Sequence, residues 1–427
     1  MRIIGLLLVS LLLWAPLDAR AWEYESMAGV STTCIDDDPI HGRIYVGTYE
    51  GFHYYDMVGD QWVNRDEEGW IGRQVYAVAW HADLDQRVIT GRENAFFKGY
   101  IELSDDLGLN GEIVYSSQAG SVVGIARDIN DAGRFYACTW PDVNPAEGLR
   151  STNGGGSWTP LSGTIHYAMT SIDTDPNGII YIGGSSAVTR STDGGGSWEI
   201  VANGITDGSI IRCVAADPEE AGRVFVSNDD ALYETTNGGY FWWEIQDYSC
   251  RNIDWGGILA GLPGEPSYYL VGAVTRDERV IVSLDGGTTW LDITRDLTPA
   301  VPRDLAFSSF DEKLYVVTET SGVFSTDLQN LISNTPEAPS VQSAVRLSAA
   351  NPFRPGDRLT LTQLESGPMS LQILDVSGRE VVRLRDGWCG SGTRQVAWDA
   401  SNVPSGVYFA RLKTPLEAVA ERVILMK

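Results

Sequence analysis

Four acidic side chains of this 427-residue chain, Glu50, Glu93, Asp229 and Asp277, stand in short polar segments (TYEG, GREN, SNDD, TRDE) between apolar runs. Two carboxylates facing each other at about 5 Å, or at up to about 9 Å with a water between them, can hydrolyse a glycosidic bond. Nothing in the spacing pairs these four, so no catalytic residue is assigned; they are the acids to test first if the chain is an enzyme. A second chemistry needs no reaction. Trp70, Phe96, Phe97, Trp140, Tyr167 and Trp255 share such segments with Arg92 and Arg276, and flat rings beside hydrogen-bonding groups suit a glycan or a protein ligand. His41, His53, His81 and His166 are scattered without a close pair, which argues against a histidine-built metal site. No cofactor is implied. The run Asp36, Asp37, Asp38 is the one candidate for Ca2+, with a solvated turn the simpler reading.

Something regular must hold these segments in place, and the chain repeats itself. STNGGGSW (Ser151, Asn153, Trp158), STDGGGSW (Ser191, Asp193, Trp198), TTNGGYFW (Thr235, Asn237, Trp242) and SLDGGTTW (Ser283, Asp285, Trp290) share one pattern. Fainter copies surround Asp56, Asp106 and Asp327. The interval from copy to copy is roughly 40 to 50 residues, the length of one four-stranded propeller blade. Before each copy run two strand-like segments, as in TSIDTDPNG and then IYIGG, followed by a third leading into the pattern. Short strands, 46 glycines and only 21% charged residues predict an all-β protein. The expected fold is a seven-bladed β-propeller followed by a small immunoglobulin-like β-sandwich.

The pattern resembles the Asp box of the bacterial neuraminidase repeat and of sortilin-like propellers, over residues 25 to 330. That resemblance implies that the box is structural. Its acid or amide accepts backbone N–H groups across a hairpin, its glycines take positive φ, and its Trp fills the space between sheets. It also implies a binding face at the opposite rim, where the acids and aromatics named above fall. The resembling proteins include sialidases, endoglucanases, sorting receptors and photosystem assembly factors, so no single activity follows. The arginine triad and the Tyr and Glu pair of sialidases have no assignable counterpart here.

After LISNTPEAPSVQS the texture changes to NPFRPGDRLTLTQ, SLQILDVSGREVVRL, TRQVAWDA, SGVYFARLKT and RVILMK. Asn351, Pro352, Phe353, Asp375, Gly378, Arg379, Trp398, Asp399, Gly406, Val407, Tyr408 and Lys427 resemble both the FlgD-type Ig-like domain and the type IX secretion C-terminal sorting domain. One implies a stabilising module, the other secretion or surface attachment. The expected layout is a signal peptide at 1–21, a propeller at 22–332, a linker at 333–344 and the C-terminal domain at 345–427.

The signal peptide rests on Arg2, the apolar run Ile3 to Trp14, Pro16, and the pair Ala19 and Ala21 before the cut. No later stretch is long and apolar enough for a transmembrane helix. A formal charge of −26 repels polyanions and argues against nucleic acid. The five cysteines form no disulfide framework. The sequence thus points to an exported protein, extracellular, surface-held or periplasmic, that binds a glycan or protein without catalysis. A glycoside hydrolase is the alternative, and an assembly factor for a membrane complex the second alternative. Oligomeric state is not set by anything in the sequence.

Overall fold

The computed structural model describes residues 22–427 apart from 66–73, 94–97, 142–144, 164–167, 186, 206–208, 260–267, 296, 298, 335–344, 350–352, 355–356, 364–366, 376–378, 390–391 and 414–417. The signal-peptide segment, linker residues 335–344, and Trp70, Phe96, Phe97, His166, Tyr167, Asn351, Pro352 and Gly378 lie outside the described residues, while Ser333 and Asn334 of the expected linker end the helix Leu328–Asn334. Apart from one short helix, Leu328–Asn334, the described elements are β-strands.

Seven sheets of four antiparallel strands follow one another along the chain. Six are plain meanders, over residues 32–64, 74–116, 122–160, 169–200, 213–246 and 250–292. The seventh joins strands over 302–327 to Glu23–Ser26, so the start of the chain is the outermost strand of the last sheet. Lys313 and Ser325 both bond to Glu25 across this seam. The first strands of consecutive sheets touch in sequence, and the first touches the seventh, which closes a ring.

Burial along the strands explains why they read as they do. Inner strands such as Val88–Glu93 and Phe135–Thr139 are buried at every position, because each sheet is covered on both faces by its neighbours. Two of the fourth strands, Thr159–Pro160 and Glu199–Ile200, are only two residues long and exposed. Cys34, Cys138, Cys213 and Cys250 are buried free thiols. Burial pushes the thiols of Cys34, Cys138 and Cys250 up to about 12, which makes them inert packing groups.

The box turns sit at one end of the ring. Ser197 N–H reaches Asp193 Oδ1 at 2.8 Å and Gly195 N–H reaches Ser191 Oγ at 2.8 Å. The same bonds recur at Asn153 with Ser157, Asn237 with Phe241 and Asp285 with Thr289, and also at the fainter copy, where Asn110 N–H reaches Asp106 at 2.8 Å. Gly195 has φ of +90°, and a Cβ there would come within 2.4 Å of Leu161 Cδ2, so only glycine fits. Trp158 and Trp242 are buried, while Trp198 and Trp290 are half-buried. An arginine from the preceding sheet caps four of these turns. Arg87 donates to Gly154 O at 3.1 Å and Arg150 to Gly194 O at 3.0 Å, while Arg190 reaches Gly238 O and Arg223 reaches Gly286 O.

Residues beyond 344 form two further sheets. One has three strands, Val345–Ser348, Arg358–Gln363 and Gly392–Ala397; the other has four, from Gly367–Asp375 to Ala418–Leu425. Leu359, Leu361, Leu371, Ile373, Trp398 and Leu412 share one core between them. Leu374 and Phe409 pack on Trp243 of the fifth ring sheet, the Trp243 and Phe409 rings 6.0 Å apart.

Candidate functional site

Because each sheet is a meander, the start of the first strand and the turn from second to third strand lie at the end of the ring away from the boxes. Glu50, Glu93, Trp140, Asp229, Arg276 and Asp277 all fall at this second end, which we call the mouth.

The acids there are committed to different partners. Glu93 is buried and accepts the Ser121 hydroxyl. Asp229 is gripped by Arg212, at 2.6 Å to Nη2, and by Arg276. Asp277 accepts from Thr275 Oγ1 and from Arg279, at 2.7 Å to Nη2. Burial works to raise its pKa, but the bonds from Thr275 and Arg279 outweigh it and hold the carboxyl below its ordinary range. Glu50 stands in the exposed turn after Thr48, and its own N–H bonds to Thr48 Oγ1 at 3.1 Å. The four acids are thus engaged by different partners, and no hydrogen bond between any two of them is seen among the described residues.

Of the aromatic and basic candidates, Trp140 is 39% exposed at the mouth. Two others are placed differently from the sequence expectation. Arg92 is fully buried within strand Val88–Glu93, its Nε bonded to Thr90 and 3.1 Å from Glu102, because strand alternation turns it into the sheet stack. Trp255 belongs to strand Cys250–Leu259 instead of a loop, and its ring stacks on Phe225 at 4.9 Å.

Trp255 also lines a cavity of about 250 Å³ inside the ring, toward the box end, with Asp36, Trp80, Arg127, Asp173 and Asp254. Loss of hydration is the main cause that pushes Asp173 up to about 6, Asp254 up to about 7 and Asp36 well above the ordinary carboxylate range. The Arg127 guanidinium lies 3.6 Å above the Trp80 ring. The triple acid is split: Asp36 faces this cavity, whereas Asp38 bonds to His41 Nδ1 at 2.8 Å and to Tyr45 at 3.2 Å. Among the described residues, no three His, Cys, Asp or Glu side chains are grouped to hold a metal ion.

Sequence reasoning missed a ring of β-bulges at the mouth. In the first strand of a sheet, one residue is skipped in the pairing at Thr33, Tyr76, Val123, Thr170, Arg251 and Arg303. Arg212 holds the equivalent place in the fifth sheet, just before its first paired residue Cys213. Two of these side chains show where the position faces. Thr33 Oγ1 bonds to Val75 O, and Thr170 Oγ1 to Ile211 O at 2.6 Å, each on the next sheet around the ring. No shared residue type marks these positions, so only the pairing register reveals them.

An all-β ring of four-stranded sheets is the architecture of propeller-like proteins, and known structures share it. The chain is similar to YCF48 bound to a D1 peptide, with TM-score 0.52 and 15% identity over 73% of this chain and 96% of that one. It is similar to the GH74 xyloglucanase of Xanthomonas campestris, with TM-score 0.55 and 17% identity over 94% and 74%. It is also similar to U3-55K, with TM-score 0.54 and 13% identity over 72% and 99%. At such identities the likeness carries fold alone. No curated protein matches the chain in sequence. Residues 351–426 match the secretion system C-terminal sorting domain family. That tail, of type IX, marks the protein for export and attachment at the cell surface. No described helix is long and apolar enough to cross a membrane.

Proposed function

We propose that this is a surface-held binding protein: a seven-bladed Asp-box propeller at residues 22–332 that presents its mouth to a protein or glycan, carried by an immunoglobulin-like sorting domain at 345–427. The supporting observation is the state of the mouth acids. A glycosidase needs one carboxyl with a raised pKa and one free carboxylate facing it. Asp229 is neutralised by two arginines, Asp277 is held below its ordinary range, and Glu93 is buried on a serine. These are groups already spent on positioning loops, which is how a rigid recognition surface is built. Full-length protein is expected to bind in a saturable way on an array of glycans and surface proteins, and to release no sugar from xyloglucan or aryl glycosides. Turnover that Glu50→Gln or Asp229→Asn abolishes would overturn this reading.

One observation favours a hydrolase. Asp173 and Asp254 share a cavity and have raised pKa values, as a general acid requires. The cavity, at about 250 Å³, falls below the roughly 300–1,000 Å³ that ligand pockets occupy, so the second reading ranks below the first. Loss of turnover in Asp173→Asn or Asp254→Asn would restore it.

A further inference from the structure

The seven equivalent positions, six of them bulges, do not carry chemistry evenly. Passing around the mouth they are Thr33, Tyr76, Val123 and Thr170, and then Arg212, Arg251 and Arg303 on three consecutive sheets. A fourth arginine joins them. Arg276, from the second-to-third strand turn of the sixth sheet, donates its backbone N–H to Ser249 O at 2.8 Å and meets the same Asp229 carboxylate as Arg212. Arg303 pairs with Glu319 at 2.5 Å. Arg251 lies between these two pairs, where burial and the charges of Arg303 and Arg276 oppose its protonation while Glu278 and Glu319 favour it. Its Nε is buried with no hydrogen-bond partner among the described residues.

In a chain of net charge −26, four arginines gather here, with Asp229 and Glu319 in direct contact and Glu278 close enough to act on Arg251. Crowding like charges costs free energy unless an anion is taken up there. The guanidinium fork matches a carboxylate, and the site already holds two: Asp229 between Arg212 and Arg276, and Glu319 on Arg303.

We propose that Arg212, Arg251, Arg276 and Arg303 form a carboxylate-recognition site for an acidic polypeptide segment, laid across the mouth of the fifth, sixth and seventh sheets. This deepens the proposed function and rests on it. A peptide is favoured over an acidic sugar because sugar rings need an open aromatic face. The tyrosine at this part of the mouth, Tyr248, is covered by the Arg279 guanidinium at 4.3 Å from its centroid. Backbone bulges that re-aim side chains next to recognition sites are a recurring device. Here the device recurs in six of the seven sheets, Arg212 holds the equivalent place in the fifth, and only these three neighbours put charge there.

The test uses full-length protein and fluorescence anisotropy of a labelled peptide with alternating Glu and Gly, its Gln counterpart, and labelled oligogalacturonate. The Glu peptide is expected to bind at low salt and weaken as salt rises, and the Gln peptide to bind at least about tenfold more weakly. Arg251→Gln should weaken the Glu peptide by about tenfold with an unchanged melting temperature, since its Nε bonds nothing that would be stranded. Arg251→Lys, which keeps the charge and loses the fork, should fall between, while Val123→Ala on the uncharged side should bind as the parent does. Equal affinity for the Glu and Gln peptides, or an undiminished Arg251→Gln, would refute the site. Binding of oligogalacturonate in place of the Glu peptide would refute the peptide assignment. In each of those cases the proposed binding function stands unless turnover is seen, so the two failures remain separate.

Discussion

Arginines work in opposite ways at the two ends of this ring. At the box end Arg87, Arg150, Arg190 and Arg223 each reach the next sheet and donate to a glycine carbonyl of its turn. At the mouth Arg212, Arg251, Arg276 and Arg303 crowd together around two carboxylates. The first set is repeated from sheet to sheet, each member giving one donor to the backbone while Arg87, Arg190 and Arg223 also pair with Asp105, Glu199 and Glu234; the second is confined to three sheets and leaves the Arg251 Nε without a partner among the described residues. Repetition at an equivalent position signals a part that every sheet needs in order to stack. Departure from it signals a part that the molecule needs once, and that is where recognition belongs.

The largest effect should come from breaking the box end. Trp242 is 1% exposed between the fourth and fifth sheets, with its Nε1 donating to Val201 O. Trp242→Ala empties that space and should cost about 3–5 kcal/mol, read from the denaturant midpoint. Next comes the arginine clamp. Arg190 is buried and bonds both Gly238 O and Glu199. Arg190→Gln strands a buried carbonyl, so stability should fall by about 1.5–3 kcal/mol. If Arg190→Gln and Arg251→Gln destabilised equally, the contrast between the two ends would collapse.

The all-β class and the turns at the four full copies were legible in the sequence, because a turn that needs glycine, a capping Asp or Asn and a Trp at fixed offsets has few solutions; at the faint copy around Asp327 the strand Gly322–Asp327 instead runs into the helix Leu328–Asn334. The mouth was half legible. Trp140, Asp229 and Arg276 fall at that end as expected from strand order alone. Arg92 was misread because GREN looks like a turn; the chain keeps its strand pairing through Glu93, and the buried Glu102 supplies the partner that lets an arginine enter the sheet. The bulges left no trace at all. A bulge is a choice of backbone register that Thr, Tyr, Val and Arg can each fill, so no residue pattern announces it.

A third effect probes the cavity inside the ring. Asp254 is raised to about 7 by burial, although its carboxylate accepts Phe307 N–H at 3.1 Å. Its folded pKa exceeds that of the unfolded chain, near 3.8. The folded protein is therefore relatively more stable below about pH 4 and loses that contribution as pH rises through about 7. Asp254→Asn keeps the accepting oxygen and removes the ionisation. It should melt higher than the parent at pH 8 and alike at pH 4, and a parallel shift at both values would rule this out.

The smallest effect separates box copies that look alike. Asp193 and Asn153 accept the same N–H at the fourth residue on, at 2.8 and 2.9 Å, but only Asp193 titrates. Bonds from the Ser197 hydroxyl and N–H, then from Ser191, lower it to about 2, below its unfolded value of 3.8. Its stabilising contribution is thus complete above about pH 4 and disappears as pH falls toward 2. Asp193→Asn should lower the melting temperature slightly at pH 6 and leave it level with the parent at pH 2, and salt should shrink the difference because the group is exposed. Asn153→Asp should bring a new acid-sensitive contribution of the same sign. A melting curve unmoved by pH in both variants would mean that the box is held by its glycines and tryptophan alone, with the carboxylate contributing shape and no charge.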